Sequence, residues 1–584
     1  MIFKKKIDMK NKLILICLFG VMSLCSSCDD YFSPNLKGNV PEDVYFENLN
    51  NLRYALNTAY SIMGTERYQR SELLFGEAIS DNCWNIQDVT SGEIYEILNS
   101  QFNTENSYIL ERYQVNYEGI NKVNQIIRSI PNVKYRTDGT SQKEIREVYG
   151  QAKVLRALFY FNLVKTFGGV SIQPENQELG SLVVKRSTLE ETYAYIEKDL
   201  REAVLLLRKQ RYQLSEAGQI SAGGALGLLM KVLLYEASPG IMLPNIDKQE
   251  KWNEVVQIGK YFIEGQDITV GDLLKFDTDY TETWEDVAER LFLEDGMKLE
   301  TLLNAQDVVS VHSLSKFDEI FRVSGEFSPE SLIEINHYDY GSVGISEDHG
   351  WKMNGYLTWE PETTILNVTP TSDLLSCFKN DPRELFTITG RAVSDYYKKD
   401  TSNPFIGYFN TGNLLKFCKF YVFPSEGNPG MRNYIVMRYA EVLLIYAEAL
   451  NEIGLTREAV DMANRVRNRA ADLLAASNPN SKYQTMSPAN FKPISYAPYD
   501  LTRDAILKEK RIEMAGEGDR WFEICRLGIV AERMKFLADN PAVEPSGQTR
   551  IRGRYFKKGV NEIFPIPQKE VFISNGVIEQ NFGY

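Results

Sequence analysis

Residues 107–131, SYILERYQVNYEGINKVNQIIRSIP, place Ile109, Tyr113, Tyr117, Ile120, Val123, Asn124 and Ile127 at spacings of three and four and close on Pro131. Positions recurring at that interval share one face of an α-helix, so the segment predicts a long amphipathic helix that the proline stops. The run 143–167 carries Ala152, Leu155, Leu158, Phe159 and Leu163 on one stripe and ends at Gly168-Gly169. Such a pair suits a helix C-terminus, where glycine enters the left-handed region without a Cβ clash. A third helix is predicted over 187–209, where Ser187 or Thr188 can cap and Glu190 and Glu191 match the positive end of the dipole.

Helices then recur in pairs. A small-residue and Leu-rich stretch at 223–237 is followed, after a Pro/Gly-containing loop, by 252–264; 438–454 is followed by 456–472, with Gly454 and Thr456 breaking and capping between them. Ala447, Gly454 and Ala459 fit the small packing positions of tetratricopeptide units, but the period is irregular, so the pattern predicts stacked helix pairs and not a tandem consensus array. From about 265 to 435 the chain turns richer in Thr, Tyr, Phe, Gly and Asn. Short alternating stretches there, SLIEINHY (331–338) and NYIVMRY (433–439), predict short strands between long loops. Loops of such length in a compact protein usually carry function.

The N-terminus does not belong to this pattern. Lys4, Lys5, Lys6, Lys10 and Lys12 precede a mainly apolar run from Leu13 to about Cys25, which is the layout of a secretory signal. The run is short of the ~20 residues that span a bilayer as a helix. It ends in Leu24, Cys25, Ser26, Ser27 and Cys28, which resembles a bacterial lipoprotein signal with Cys28 as the acylated residue; Cys25 stands where that signal usually has Leu. Asp29 and Asp30 resemble the surface-export signal of Bacteroidetes lipoproteins. Several acyl chains, at ~0.8 kcal/mol per buried CH₂, would tether the chain without its spanning the membrane. Cleavage before Cys28 leaves 557 residues and removes five lysines and one aspartate, taking the net charge from −14 to −18.

Composition narrows the classes further. Of 584 residues, 43% are hydrophobic and 25% charged, which excludes a disordered chain, a collagen-like repeat and a polytopic membrane protein. The acidic balance, with no basic run beyond the N-terminus, excludes non-specific nucleic-acid binding, because phosphate neutralisation needs a basic face. Cys83, Cys377, Cys418 and Cys525 are scattered without a CxxC, so neither a disulfide framework nor a structural zinc site is expected. The three histidines, His312, His337 and His349, sit in the loop-rich region, and no HExxH, P-loop or GxSxG occurs. No catalytic residue, metal or cofactor is therefore expected.

Aromatic residues reach 12%, with 33 tyrosines. Aromatic faces stack on the C–H faces of sugar rings while neighbouring amides and acids bond the hydroxyls. Trp84, in SDNCWNIQD, and Trp351 and Trp359, in HGWKMNGYLTWEPE, lie in polar contexts of that kind; Trp252, Trp284 and Trp521 sit in helical contexts and are expected in the core.

Five segments together resemble the SusD/RagB family of Bacteroidetes outer-membrane nutrient-binding lipoproteins. They are QAKVLRALFYFNLVKTFGGVSI (151–172), PTSDLLSCFKNDPRE (370–384), RYAEVLLIYAEALNEIG with NRVRNRA (438–454, 464–470), AILKEKRIEMAGEGDRWFEICRLG (505–528) and NEIFPIPQKEV (561–571). Ser171 replaces the family's proline, Lys510 a usual Arg and Glu523 a usual Asp. The resemblance implies a mainly α fold on tetratricopeptide-like helix pairs, with an irregular loop-rich region carrying short β-strands. It divides the chain into a signal peptide (1–27), an N-terminal helical region (28–240), a helix pair plus ligand-facing loops (241–435) and a C-terminal helical region (436–584) interlocked with the first. It also implies a glycan ligand, a SusC-like TonB-dependent transporter as partner, and no catalysis. The alternatives within that resemblance are a peptide-capturing lid of a RagA-like transporter and a mainly structural cap. Glycan contacts vary with ligand, so the candidates rest on position and chemistry: Asp81, Asn82 and Trp84 in one loop, Trp351, Tyr356 and Trp359 in another. The charged residues Arg511, Glu513, Glu517, Arg520 and Arg526 are expected to form a structural network in a helical frame.

Overall fold

The structure, a computed structural model, describes residues 45–85, 92–133, 140–175, 184–213, 216–275, 283–294, 296–337, 368–389, 416–420, 432–476, 491–543 and 549–584. Helices lie where the apolar spacing predicts them. In the N-terminal half they are α1 (Leu49–Gly64), α2 (Glu66–Leu73), α3 (Ser107–Ser129), α4 (Thr140–Phe167), α5 (Leu189–Leu206), α6 (Ala222–Ala237) and α7 (Lys248–Gly259). Toward the C-terminus follow α8 (Tyr439–Glu452), α9 (Thr456–Ala476), α10 (Tyr499–Met514), α11 (Arg520–Arg526) and α12 (Val530–Asp539).

Local chemistry sets their ends. The Asn106 side chain accepts from the Tyr108 and Ile109 N–H groups to start α3, which runs out into a 3-10 turn at Ile130–Asn132 holding Pro131. Thr188 and Glu191 close a reciprocal capping box on α5. Gly168 ends α4 at φ +75°.

Consecutive helices α3 to α7 pack each on the next, while α8 packs on α9 and α10 and also on α6 and α7. Gly119 is what lets α3 approach α4: a Cβ there would lie 2.4 Å from the Phe159 ring. Helix α6 buries all of its sixteen residues and so lies at the centre of the stack. Each of its fully buried leucines contributes roughly 1.5–3 kcal/mol relative to exposure. One hydrophobic cluster runs from Phe46 to Ile578, so both helical regions share a core. A smaller cluster of Phe317, Ile320, Phe321, Phe420, Ile435 and Leu473 lies in the loop-rich part.

Strands are few and short. Those that matter for the site are β1 (Cys83–Asn85), β2 (Ser331–Ile335), β3 (Val368–Pro370), β4 (Ile388–Thr389), β5 (Lys416–Phe417) and β6 (Tyr434–Arg438). They form antiparallel pairs, β1 with β3, β2 with β6 and β4 with β5. The expected mainly α fold with short strands in its middle is the fold observed. Trp252 and Trp521 are buried, and Trp284 is half-buried with its indole N–H on the Met297 carbonyl at 3.1 Å. Among the described residues no helix is long and apolar enough to cross a membrane.

Candidate functional site

The β1–β3 ladder pairs Cys83 with Pro370, Trp84 with Thr369 and Asn85 with Val368. Because the pair is antiparallel, the chain leaves β1 after Asn85 and enters β3 at Val368 from the same end of the ladder. Asn85, where the chain leaves β1, and Val368, where it enters β3, thus lie side by side. His337 follows β2; its backbone N–H donates to Asn433 Oδ1 at 2.8 Å and its Nε2 lies 2.8 Å from Gln69 Nε2. Further along, Ile388 pairs with Phe417 and Thr389 with Lys416 in the same antiparallel way. Trp351, Tyr356 and Trp359 lie outside the described residues, as does His349.

Asp81, Asn82 and Trp84 do not form an open loop, and here the structure corrects the expectation drawn from their polar neighbours. All three are buried. The Asp81 carboxylate accepts from Arg520 Nε at 2.7 Å and Nη2 at 3.0 Å and from Arg533 Nε at 2.6 Å, with Arg511 Nη2 at 3.3 Å. A second acid, Asp373, shares Arg511 at 2.9 Å and Arg533. Burial alone would raise the Asp81 pKa, but the three guanidiniums outweigh it and hold the carboxyl far below the usual range. Asn82 donates to Glu77 Oε1 at 2.8 Å and accepts from Arg511 Nε at 2.9 Å. Asp81 and Asn82 fasten the root of the ladder to α10, α11 and α12, and Trp84 packs into the hydrophobic core. Glu77 makes the contrast plain. Equally buried four residues earlier, but without a guanidinium on its carboxylate, it is pushed up by burial to about 7.

A second buried network holds the remaining roots. Arg383, from the Asp-Pro-Arg segment, reaches Asp381, Glu509 and Glu513, each at 2.7 Å. Arg438, at the end of β6, reaches Glu330 at 2.8 Å, Glu513 at 2.6 Å and Glu517 at 2.7 Å. Lys419, just past β5, donates to Glu517 Oε1 at 2.7 Å and to the Glu513 carbonyl at 2.8 Å. Burial works against ionised Glu513, yet Arg469, Arg438 and Arg383 keep it well below the carboxylate norm. Arg526 is similarly enclosed by Glu448 and Glu523. The structural charge network expected over 511–526 is therefore present, and its function is positional: strands that begin and end loops are tied by ion pairs to the C-terminal helices. Rigid roots with long connections are the arrangement by which a scaffold presents a binding surface.

Sequence reasoning missed Arg533 and Asp373, whose partners lie more than a hundred residues away and leave no local signal. It also missed an open groove of about 350 Å³ beside α1, lined by Tyr45 and Tyr54. Among the described residues no group of His, Cys, Asp and Glu is arranged to hold a metal, and Cys83, Cys377, Cys418 and Cys525 are free thiols.

Two family models match the chain. One, described as the SusD family, covers residues 377–584, and the other, described as "Starch-binding associating with outer membrane", covers 37–234. The chain belongs to the SusD/RagB family. SusD-like protein P2 of Formosa agariphila is 24% identical over 98% of this chain and all of its own length. Among solved structures, a SusD homolog from Bacteroides thetaiotaomicron VPI-5482 superposes with TM-score 0.67 at 22% identity, covering 93% of this chain and 98% of that one. A protein described as "Laminarin binding SusD-like protein" gives 0.63 at 24% identity, over 92% and 100%. Surface glycan-binding protein A from Bacteroides thetaiotaomicron, in complex with laminarihexaose, gives 0.62 at 17%, over 91% and 99%. These likenesses establish the SusD fold, and the family-like segments 370–384, 438–454 and 505–528 of this SusD/RagB chain carry its buried charged frame.

Proposed function

We propose that this chain is a non-catalytic, cell-surface glycan-binding lipoprotein of the outer membrane. It is anchored through acylated Cys28, captures oligosaccharide or polysaccharide on the loops rooted at the β1–β3 ladder, and passes it to a SusC-like TonB-dependent transporter. The reading rests chiefly on likeness along nearly the whole chain to solved proteins described as binding laminarin or surface glycans. The paired roots agree with it, since they bring the base of the loop holding Trp351, Tyr356 and Trp359 onto a rigid frame.

Isothermal titration of residues 29–584 against plant, microbial and host glycans, with a peptide pool alongside, tests the capture step. Heat on one glycan class that is lost in Trp351→Ala or Trp359→Ala supports it. Silence on every glycan with heat on peptide sinks it. Detergent phase partition of the full chain tests the anchor: wild type enters the detergent phase, and Cys28→Ser stays in water.

A further inference from the structure

Helix α1 buries Leu52, Leu56, Ala59, Ile62 and Met63 against the core. The same helix turns Tyr54 outward, 62% exposed; with Thr58, with Tyr45, 40% exposed, and with Lys122 and Gln125 of α3 it lines one groove. The volume of this open groove, about 350 Å³, falls within the ~300–1,000 Å³ of small-molecule sites. Tyr54 stands on a regular helix, while Tyr45 packs edge-on to buried Phe46 at 5.0 Å with its backbone carbonyl bonded by Asn51 Nδ2 at 2.6 Å. The tips that face the groove, the two phenols, the Gln125 amide and the Lys122 ammonium, have no side-chain partner among the described residues.

Two aromatic platforms with neutral hydroxyl and amide groups between them match the alternating apolar and hydroxyl faces of a saccharide. A multiply charged ligand would find only Lys122 to pair with. We propose that this groove is a second carbohydrate subsite, taking a short segment of an oligosaccharide apart from the loops at the β1–β3 ladder. It rests on the glycan-binding reading but uses none of the same residues. A long glycan held at both places would dissociate more slowly than from either alone.

The test is saturation-transfer NMR on residues 29–584 with laminarihexaose, maltohexaose, cellohexaose, xylohexaose and trigalacturonate. Four forms are compared: wild type, Tyr54→Ala, Tyr54→Trp and the double variant Trp351→Ala/Trp359→Ala, each checked for native circular dichroism. The groove is supported if a panel sugar still receives saturation in the loop double variant and loses it in Tyr54→Ala, with about fivefold weaker binding from one lost platform and recovery in Tyr54→Trp. Binding abolished by the loop variant and indifferent to Tyr54 overturns the groove and leaves the proposed function standing. No transfer from any sugar to any form overturns both.

Discussion

Replacing Asp81 by Asn keeps the shape and removes the charge that three arginines surround. Arg511 and Arg533 would then share only Asp373, and Arg520 would keep no carboxylate among the described residues, in a site where the side chains of Arg511, Arg520 and Arg533 are 8%, 11% and 20% exposed. Each lost attraction at ~4 Å is worth ~4 kcal/mol at an effective dielectric of 20. They do not add, because Arg533 can recover some water. The figure for breaking a buried pair, about 3–5 kcal/mol, is the expected loss. The assay is urea unfolding of residues 29–584 at pH 7, with Asp539→Asn as control. Asp539 pairs with Lys535 at 2.7 Å on the surface, side chains 57% and 74% exposed, and its loss should cost under ~0.5 kcal/mol. The depressed pKa fixes the pH trend: the contribution of Asp81 is complete above the unfolded value near ~4 and fades as the pH falls below it, so wild type and variant converge in acid. A midpoint shift no larger than that of Asp539→Asn, together with weakened glycan binding, would refute the structural role and restore Asp81 as a ligand contact.

Glu77 carries the opposite sign: burial raises it to about 7, so between about 4.5 and 7 the folded chain binds more protons than the unfolded and stability falls as pH rises. Glu77→Gln should flatten that segment of the stability-versus-pH curve by about 3 kcal/mol across the window, read from melts in a pH series. Gly119→Ala drives a methyl into the Phe159 ring and should cost ~1–3 kcal/mol by overpacking, a loss that the added Phe159→Leu partly returns in chemical denaturation. Arg552 is buried with its guanidinium on the carbonyls of Leu98, Cys83 and Ala78 and its pKa pulled down by burial to about 10. Arg552→Met strands three acceptors and should lose roughly 3 kcal/mol in the same assay; an unchanged midpoint would mean that water replaces the side chain at no cost.

The helical frame was legible because its signals are local. The stripe of Ala152, Leu155, Leu158, Phe159 and Leu163, the Thr188/Glu191 box and the stop at Gly168 each lie within a few turns of the residues they organise. The burial of Asp81, Asn82 and Trp84 was not legible for the converse reason. Polar neighbours suggest solvent unless a distant partner claims them, and the claimants are at 511, 520 and 533, with the pairing strand at 368–370. Tyr54 escaped notice because an aromatic in an amphipathic helix reads as core, and only the burial of Leu52 and Leu56 shows that its direction is outward.

The ladder between Cys83–Asn85 and Val368–Pro370 is only three residues long on each side, and the residue two before it, Asp81, is held by ion pairs to Arg520 and Arg533. Closure entropy grows only logarithmically, by ~0.6 kcal/mol for each doubling of a flexible connection. Segments of different length or sequence can therefore be exchanged between His337 and Val368 at a cost small beside the ~3–5 kcal/mol held in one buried ion-pair contact. The fold offers a socket at His337 and Val368, and chimaeras that swap 338–367 between relatives should keep the host's melting temperature; a changed ligand in them would locate the glycan contacts in that segment.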